Sequence, residues 1–316
     1  MQKKALIIIN QHTAKPKLRI DLLEILDIFT RGGLACLTRP TQKAGDAERY
    51  TAANAEAFDI VICMGGDGTL NEVIAGLCEL PPEKRPPVGY IPAGTTNDFA
   101  ASIGLPSDPL DAAKFIMNAE PRWMDCGRID GHIFNYIASI GAFTEVSYDT
   151  PQPLKNLLGH FAYLLEGVKH LSDIKPYSLS FTAEDADGTE CAYSGDFVFG
   201  AFANTLSIGG VIKLDPAEVD FNDGRHEYLL VRMPSSISEL NETVLELKSL
   251  QNPGRKDEAS RVIYGKFSRG RLALGEGSEL AWSLDGEQVV TGQSVGIENL
   301  KGAYRLYSQL KNLTEG

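Results

Sequence analysis

The 316-residue chain is poor in the residues that build several common kinds of site. Its five cysteines (Cys36, Cys63, Cys78, Cys126, Cys191) are odd in number, scattered and free of CxxC spacing. That excludes a disulfide framework and a thiolate zinc site, and it reads as reduced thiols in a cytoplasmic protein. The five histidines form neither HxH nor HExxH, so a histidine zinc centre is not expected. Positive charge is also short: 30 Lys and Arg against 42 Asp and Glu give a net charge of −12. A deficit of that size argues against nucleic-acid binding through phosphate neutralisation and against passive adsorption to anionic lipid. No apolar window approaches the length of a membrane span. The N-terminal MQKKALIIIN places two lysines before an apolar run, but the run ends after Ile9, too short for a signal peptide. It reads as a buried first strand.

What is present has two grammars. From Met1 to about Asp130, apolar strands at Ala5–Asn10, Ala35–Arg39, Ile60–Met64 and Val88–Ile91 alternate with helical segments at Leu18–Thr30 and Ala44–Ala57. Near-continuous apolar strands alternating with helices predict an open parallel sheet covered on both faces, an α/β nucleotide-binding domain. From residue 131 to 301, short runs separated by Gly, Pro, Asn and Asp predict a β-sandwich: Tyr177–Ala183, Phe197–Ala203, Glu227–Met233, Arg261–Phe267, Arg271–Leu274, Glu279–Leu284 and Ser294–Glu298. One helical stripe interrupts them at Leu154–Leu171, read as core packing with lipid contact as its alternative. The tail 302–316 reads as strand or helix, able to pack back on the first domain.

The most informative stretch is DIVICMGGDGTLNEVIAGL, Asp59 to Leu77. A strand ends in a glycine turn, and a helix follows with Thr69 as expected N-cap and Glu72 three residues on, a capping box. Glycine permits close approach, and the amides of Gly66, Gly68 and Thr69 should face whatever sits above the loop. Neither GxxxxGK[ST] nor GxGxxG fits, so this is not a P-loop or a dinucleotide fingerprint. The strand Val88–Ile91 repeats the design with PAGTTNDFA, setting Thr69, Thr95 and Thr96 beside Asp67 and Asp98 at one sheet edge. Hydroxyls and amides suit phosphate, and carboxylates suit Mg²⁺ directly or through its waters.

GGDGTLNEV followed by PAGTTNDFA resembles the catalytic domain of diacylglycerol-kinase-type lipid kinases, in particular the soluble bacterial members. Sphingosine, ceramide and, more distantly, NAD kinases are the wider relatives. The resemblance continues through DFNDG (Asp220–Gly224) and SLDGEQ (Ser283–Gln288) and so spans nearly the whole chain. It implies ATP in a cleft between the domains. Asn10, Gln11, His12, Thr13 and Ala14 match the first nucleotide segment, and Thr41 the threonine near the phosphates. Gly66, Asp67, Gly68, Thr69, Leu70, Asn71 and Glu72 would cradle the phosphates, joined by Thr95. Asp67, Asp98 and Asp125 match the carboxylates that organise catalytic Mg²⁺.

In the second domain the resemblance makes Asp220, Asp223 and the carbonyl of Arg225 a structural metal site, whereas spacing alone reads as an Asx turn. Glu287 matches the general base, whereas local sequence alone reads as a hairpin turn with a solvated glutamate. The function implied is an ATP- and Mg²⁺-dependent kinase acting on a lipid alcohol, cytoplasmic and touching the membrane transiently, with homodimerisation possible. The alternatives are a superfamily kinase acting on a soluble substrate such as NAD, and a non-catalytic nucleotide-binding regulator.

Overall fold

A computed structural model describes residues 2–11, 16–94, 97–141, 176–205, 207–208, 212–213, 219–248, 260–275 and 280–309. The expected helix Leu154–Leu171 lies outside these residues, as do His12, Thr13, Ala14 and Thr95. Two compact units divide the chain: Met1–Asp125 with the segment from Gly302 onward, and Cys126–Lys301.

The first unit runs β1 (Lys3–Ile9), α1 (Pro16–Arg31), β2 (Leu34–Pro40), α2 (Asp46–Asn54), β3 (Ile60–Gly65), α3 (Asp67–Cys78), β4 (Val88–Pro92), α4 (Asp98–Ser102) and α5 (Pro109–Asn118). The sheet order is β2-β1-β3-β4, every pair parallel. β3 and β4 are buried at every residue, which accounts for their unbroken apolar sequences. α1 packs beside α5, and α2 beside α3. Ile25 and Phe29 of α1 and Ala112, Ala113 and Ile116 of α5 bury against Ile7, Ile62, Met64 and Ile91. Helix α5 starts sharply because the Asp108 carboxylate accepts from the amides of Leu110 and Asp111, with Pro109 in the first turn.

β5 (Pro121–Ile129) leads out of this unit. The second unit contains β6 (His132–Phe134), β7 (Ile137–Gly141), β8 (Tyr177–Glu184), β9 (Glu190–Ala203), β10 (Ser207–Ile208), β11 (Ile212–Lys213), β12 (His226–Arg232), α6 (Ile237–Lys248), β13 (Val262–Phe267), β14 (Arg269–Leu274), β15 (Leu280–Leu284), β16 (Glu287–Thr291) and β17 (Ser294–Tyr307). Strands β7 to β9 and β12 to β16 pair antiparallel here, as does β17 with β14, and β17 passes from Gly302 into the first unit. The long β9 serves two runs of strands, one through β7, β15 and β16 with β12 and β13, the other through β8, β14 and β17. Phe181, Phe202, Phe267, Tyr228 and Trp282 fill the core, their rings at edge-on or tilted angles.

The parallel α/β unit and the antiparallel β unit are the two architectures expected from the sequence. The first part of the tail, residues 302–307, is strand: β17 continues beyond Glu298 to Tyr307, and Leu306 pairs in parallel with Val88. Helices α4, α5 and α6 and strands β5 to β7 were not anticipated.

Candidate functional site

The parallel strands end in step. Ile9 lies opposite Pro40 and Met64, and Gly65 opposite Pro92, so Asn10, Thr41, Gly66 and Ala93 follow at one edge. Backbone bonds carry the register one residue further, from Asn10 N–H to Met64 O, Thr41 N–H to Ile9 O and Ala93 N–H to Gly65 O. Because β2 and β3 flank β1 on opposite sides, the chain reverses its winding between β1 and β3. Ligands of open α/β sheets bind outside the carboxyl ends at such a switch point. Asn10 and Thr69 meet there, the Asn10 Nδ2 donating to the Thr69 hydroxyl at 2.9 Å. Gln11 Nε2 reaches the carbonyl of buried Thr41 at 3.4 Å.

The two glycine loops touch through their backbones. A Cβ on Gly94 would lie 2.5 Å from the Gly66 Cα, so any side chain there would push the loops apart. Asn97 closes the second loop: its Oδ1 accepts from Gly94 N–H and its Nδ2 donates to Gly94 O, both at 2.9 Å. It does so in the left-handed region, φ 54°, which asparagine tolerates better than most residues. Asp67 then spans both loops. Its Oδ2 accepts from the Asp98 N–H at 2.8 Å, and its Oδ1 accepts from the Tyr90 hydroxyl at 3.1 Å.

Burial pushes the Asp67 carboxyl up to about 6, and the neighbouring Asp98 charge adds to it, while the Tyr90 hydroxyl and Asp98 amide pull it back. An enclosed carboxylate beside a second one is short of positive charge. That donor set fits a divalent cation bound directly or through waters.

Several expected roles change. Helix α3 begins at Asp67 with Gly66 as N-cap, so Thr69 sits inside the first turn and the capping box does not form. The reason is steric: Thr69 packs over Gly65, where a Cβ would come within 2.7 Å of its side chain. Glu72 instead turns to α2, its oxygens accepting from Gly45 N–H at 2.9 Å and Ala47 N–H at 3.0 Å. Gly45 has no side chain with which to cap α2, and Glu72 supplies the missing acceptor. Leu70 is fully buried and spends its amide on Gly66 O, which makes it core. Gly68 and Asn71 are half-buried on the first turns of α3. Buried Asp125 lies on β5, its Oδ1 accepting from the Gly302 N–H at 2.7 Å. Tyr90 and Asn97 were missed. The Asn after a glycine–threonine turn was the available signal for the second, but nothing local marked the tyrosine.

In the second unit, DFNDGR forms the Asx turn that spacing alone allowed. Asp220 Oδ1 accepts from Asn222 N–H at 3.0 Å, and Asp223 Oδ1 from Arg225 N–H at 2.9 Å. Asp223 Oδ2 faces the Lys266 ammonium at 3.3 Å, which also lies 3.6 Å from buried Glu227. The turn therefore carries a cation of its own beside Asp223. No cluster of three or more His, Cys, Asp or Glu with metal spacing occurs among the described residues.

LDGEQ is a two-residue hairpin turn between β15 and β16, with φ of 49° at Asp285 and 93° at Gly286. Two positive φ values in an Asp-Gly pair match a type I′ turn. Glu287 is exposed at the start of β16, opposite Leu284, and the buried Trp282 anchors the hairpin through Nε1–H to Thr291 Oγ1 at 3.0 Å.

Residues 4–129 match the model of the diacylglycerol kinase catalytic domain, the span that carries both glycine loops and Asp125. The diacylglycerol kinase of Bacillus subtilis strain 168 is 34% identical over 287 residues, 90% of this chain and 90% of that one. The chain belongs to the diacylglycerol kinase family. It is accordingly a lipid kinase. A Staphylococcus aureus MRSA252 diacylglycerol kinase is 32% identical, covering 91% of this chain and 87% of the relative. The fold agrees. A crystal structure of a diacylglycerol kinase from Bacillus anthracis Sterne aligns at a TM-score of 0.70 with 23% identity over 97% of each chain. No helix among the described residues is long and apolar enough to cross a membrane.

Proposed function

We propose that the chain transfers the γ-phosphoryl group of ATP, with Mg²⁺, to the hydroxyl of a lipid alcohol such as diacylglycerol. The observation that carries the reading is Asp67 joined to Asp98 across two backbone-to-backbone glycine loops at the sheet's switch point. Asn10, Gln11, Thr41, the amides of Gly66 to Thr69 and Thr95 would line the nucleotide, small residues and free first-turn amides suiting phosphate. Asp67, Asp98 and Asp125 would hold Mg²⁺, which when bound neutralises charge on the phosphates. Glu287 would accept the proton of the lipid hydroxyl. As that proton leaves, the lipid oxygen bonds to the γ-phosphorus, the β–γ bridging P–O bond breaks, and ADP departs with the electron pair. The relatives' names support diacylglycerol as the lipid, and the net charge of −12 gives no support to nucleic acid as a partner.

The test is transfer of labelled phosphate from MgATP by purified protein, with diacylglycerol, ceramide and sphingosine each presented in mixed micelles and NAD as soluble acceptor. Label in phosphatidic acid, abolished by Asp67→Ala, is expected. Transfer to NAD with none to any lipid would overturn the proposal.

A further inference from the structure

The hairpin that carries Glu287 is fastened by its own first turn residue. Asp285 accepts three consecutive backbone amides: its Oδ2 from Asn135 at 2.6 Å, and its Oδ1 from Tyr136 and Ile137 at 2.8 Å each. Its own N–H donates to the Ile137 carbonyl at 2.9 Å. Residues 135–137 join β6 to β7, and β7 also pairs with β15 from Ser283 and Leu284. The turn is thus tied to a neighbouring strand by four bonds at one residue, three of them charge-assisted, which are the strong kind. A plain Asp-Gly turn needs none of this, because its two positive φ values already close the hairpin. Glu287 stands two residues beyond the clamp, at the exposed start of β16.

We propose that Asp285 is the positioning residue of Glu287, fixing a glutamate that would otherwise ride on a free two-residue turn. The inference rests on the reading of Glu287 as proton acceptor. Misplacing a reacting group by about 1 Å can cost on the order of a hundredfold in rate, so a clamp on the turn matters more to kcat than to binding.

Asp285→Asn isolates the effect. Asparagine is near in size and accepts positive φ, but its single amide oxygen cannot serve all three N–H groups, and its NH₂ faces at least one of them. Asp285→Gly releases all three amides and keeps the backbone conformation. In both variants kcat should fall about tenfold or more at 25 °C, with KM for ATP within about twofold of wild type. In a Glu287→Gln background Asp285→Asn should cost nothing further, since the residue acts through the one already removed. Wild-type kcat in a folded Asp285 variant, or losses that multiply in the double variant, would overturn the inference while leaving Glu287 in its role. Failure of both variants to fold would assign Asp285 to the fold alone and also overturn it. Wild-type kcat in Glu287→Gln removes the proton acceptor and the inference together, which distinguishes the two failures.

Discussion

Removing the Tyr90 hydroxyl should move the acid limb of activity upward. Tyr90 is fully buried, and its hydroxyl donates to Asp67 Oδ1 at 3.1 Å. That bond is the foremost influence pulling the Asp67 carboxyl down against burial, and the balance stands at about 6. A hydrogen bond to a charged acceptor contributes roughly 1.5–3 kcal/mol, and the 3.1 Å separation argues for the lower end. Since ~1.4 kcal/mol corresponds to one pH unit, Tyr90→Phe should raise the limb by about one unit. If the metal site needs Asp67 ionised, activity falls as pH drops through this value. At pH 6 the ionised fraction would go from about half to about a tenth, an approximately fivefold loss, while at pH 8 the two proteins should nearly coincide.

The assay is kcat/KM for ATP against pH at low Mg²⁺, where free enzyme dominates and bound metal does not hold the carboxylate ionised. Phenylalanine keeps the ring that packs under the loops, so the variant should remain folded. An acid limb at the wild-type position, or a loss equal at all pH values, would refute the reasoning.

Glu72→Gln should lower stability by about 1 kcal/mol, the usual cost of weakening a helix cap, with KM for ATP unchanged; urea denaturation and kinetics together check this. Lys266→Met leaves Asp223 and Glu227 without their shared cation and should destabilise by about 3 kcal/mol in urea melts. Equal stability of the two proteins would show the pairing to be idle. His226 is fully buried, its Nδ1 bonded to Asn299, and burial pushes it down to about 3. The unfolded chain takes up that proton first as pH falls below about 6.5. Stability is therefore present at neutral pH and lost on acidification, by about 2 kcal/mol between pH 7 and 5. His226→Gln should lose about 2 kcal/mol less across the same interval, measured by denaturation at both pH values.

How much of this was readable depends on the range of each interaction. The first unit was legible because its strands are buried on both faces: Ile60–Gly65 and Val88–Pro92 announce themselves by apolar continuity, and glycine punctuates their ends. The loops containing Asp67 and Asp98 could be set at one edge because parallel strands end together. Glu72 was misread for the opposite reason. A capping box is a local pattern, and the acceptors of Glu72 were claimed by amides of α2, 25 and 27 residues earlier in the chain. Tyr90 was invisible for the same reason, since its place in the wholly buried β4 says only that it is buried. In the second unit the short strands were found where turns bracketed them. β9 and β17 came out too short, because their outer residues alternate weakly.

The two carboxylates that resemble each other most in sequence, Asp67 in GGDGT and Asp285 in LDGEQ, show what a motif leaves undetermined. Both are aspartates in glycine turns at the end of a strand, and composition cannot separate them. Their surroundings do. Asp285 accepts three amides from one segment, which commits its charge to holding the turn that carries Glu287. Asp67 also has three donors, the Asp98 and Phe99 amides and the Tyr90 hydroxyl, yet burial and the neighbouring Asp98 charge hold it near 6. A carboxylate left short of positive charge in an enclosed place is a standing cost, tolerable where a cation completes it in the working state. What separates an aspartate that fixes a turn from one poised for a cation here is therefore burial beside a second carboxylate, and it becomes visible only once the loops have met.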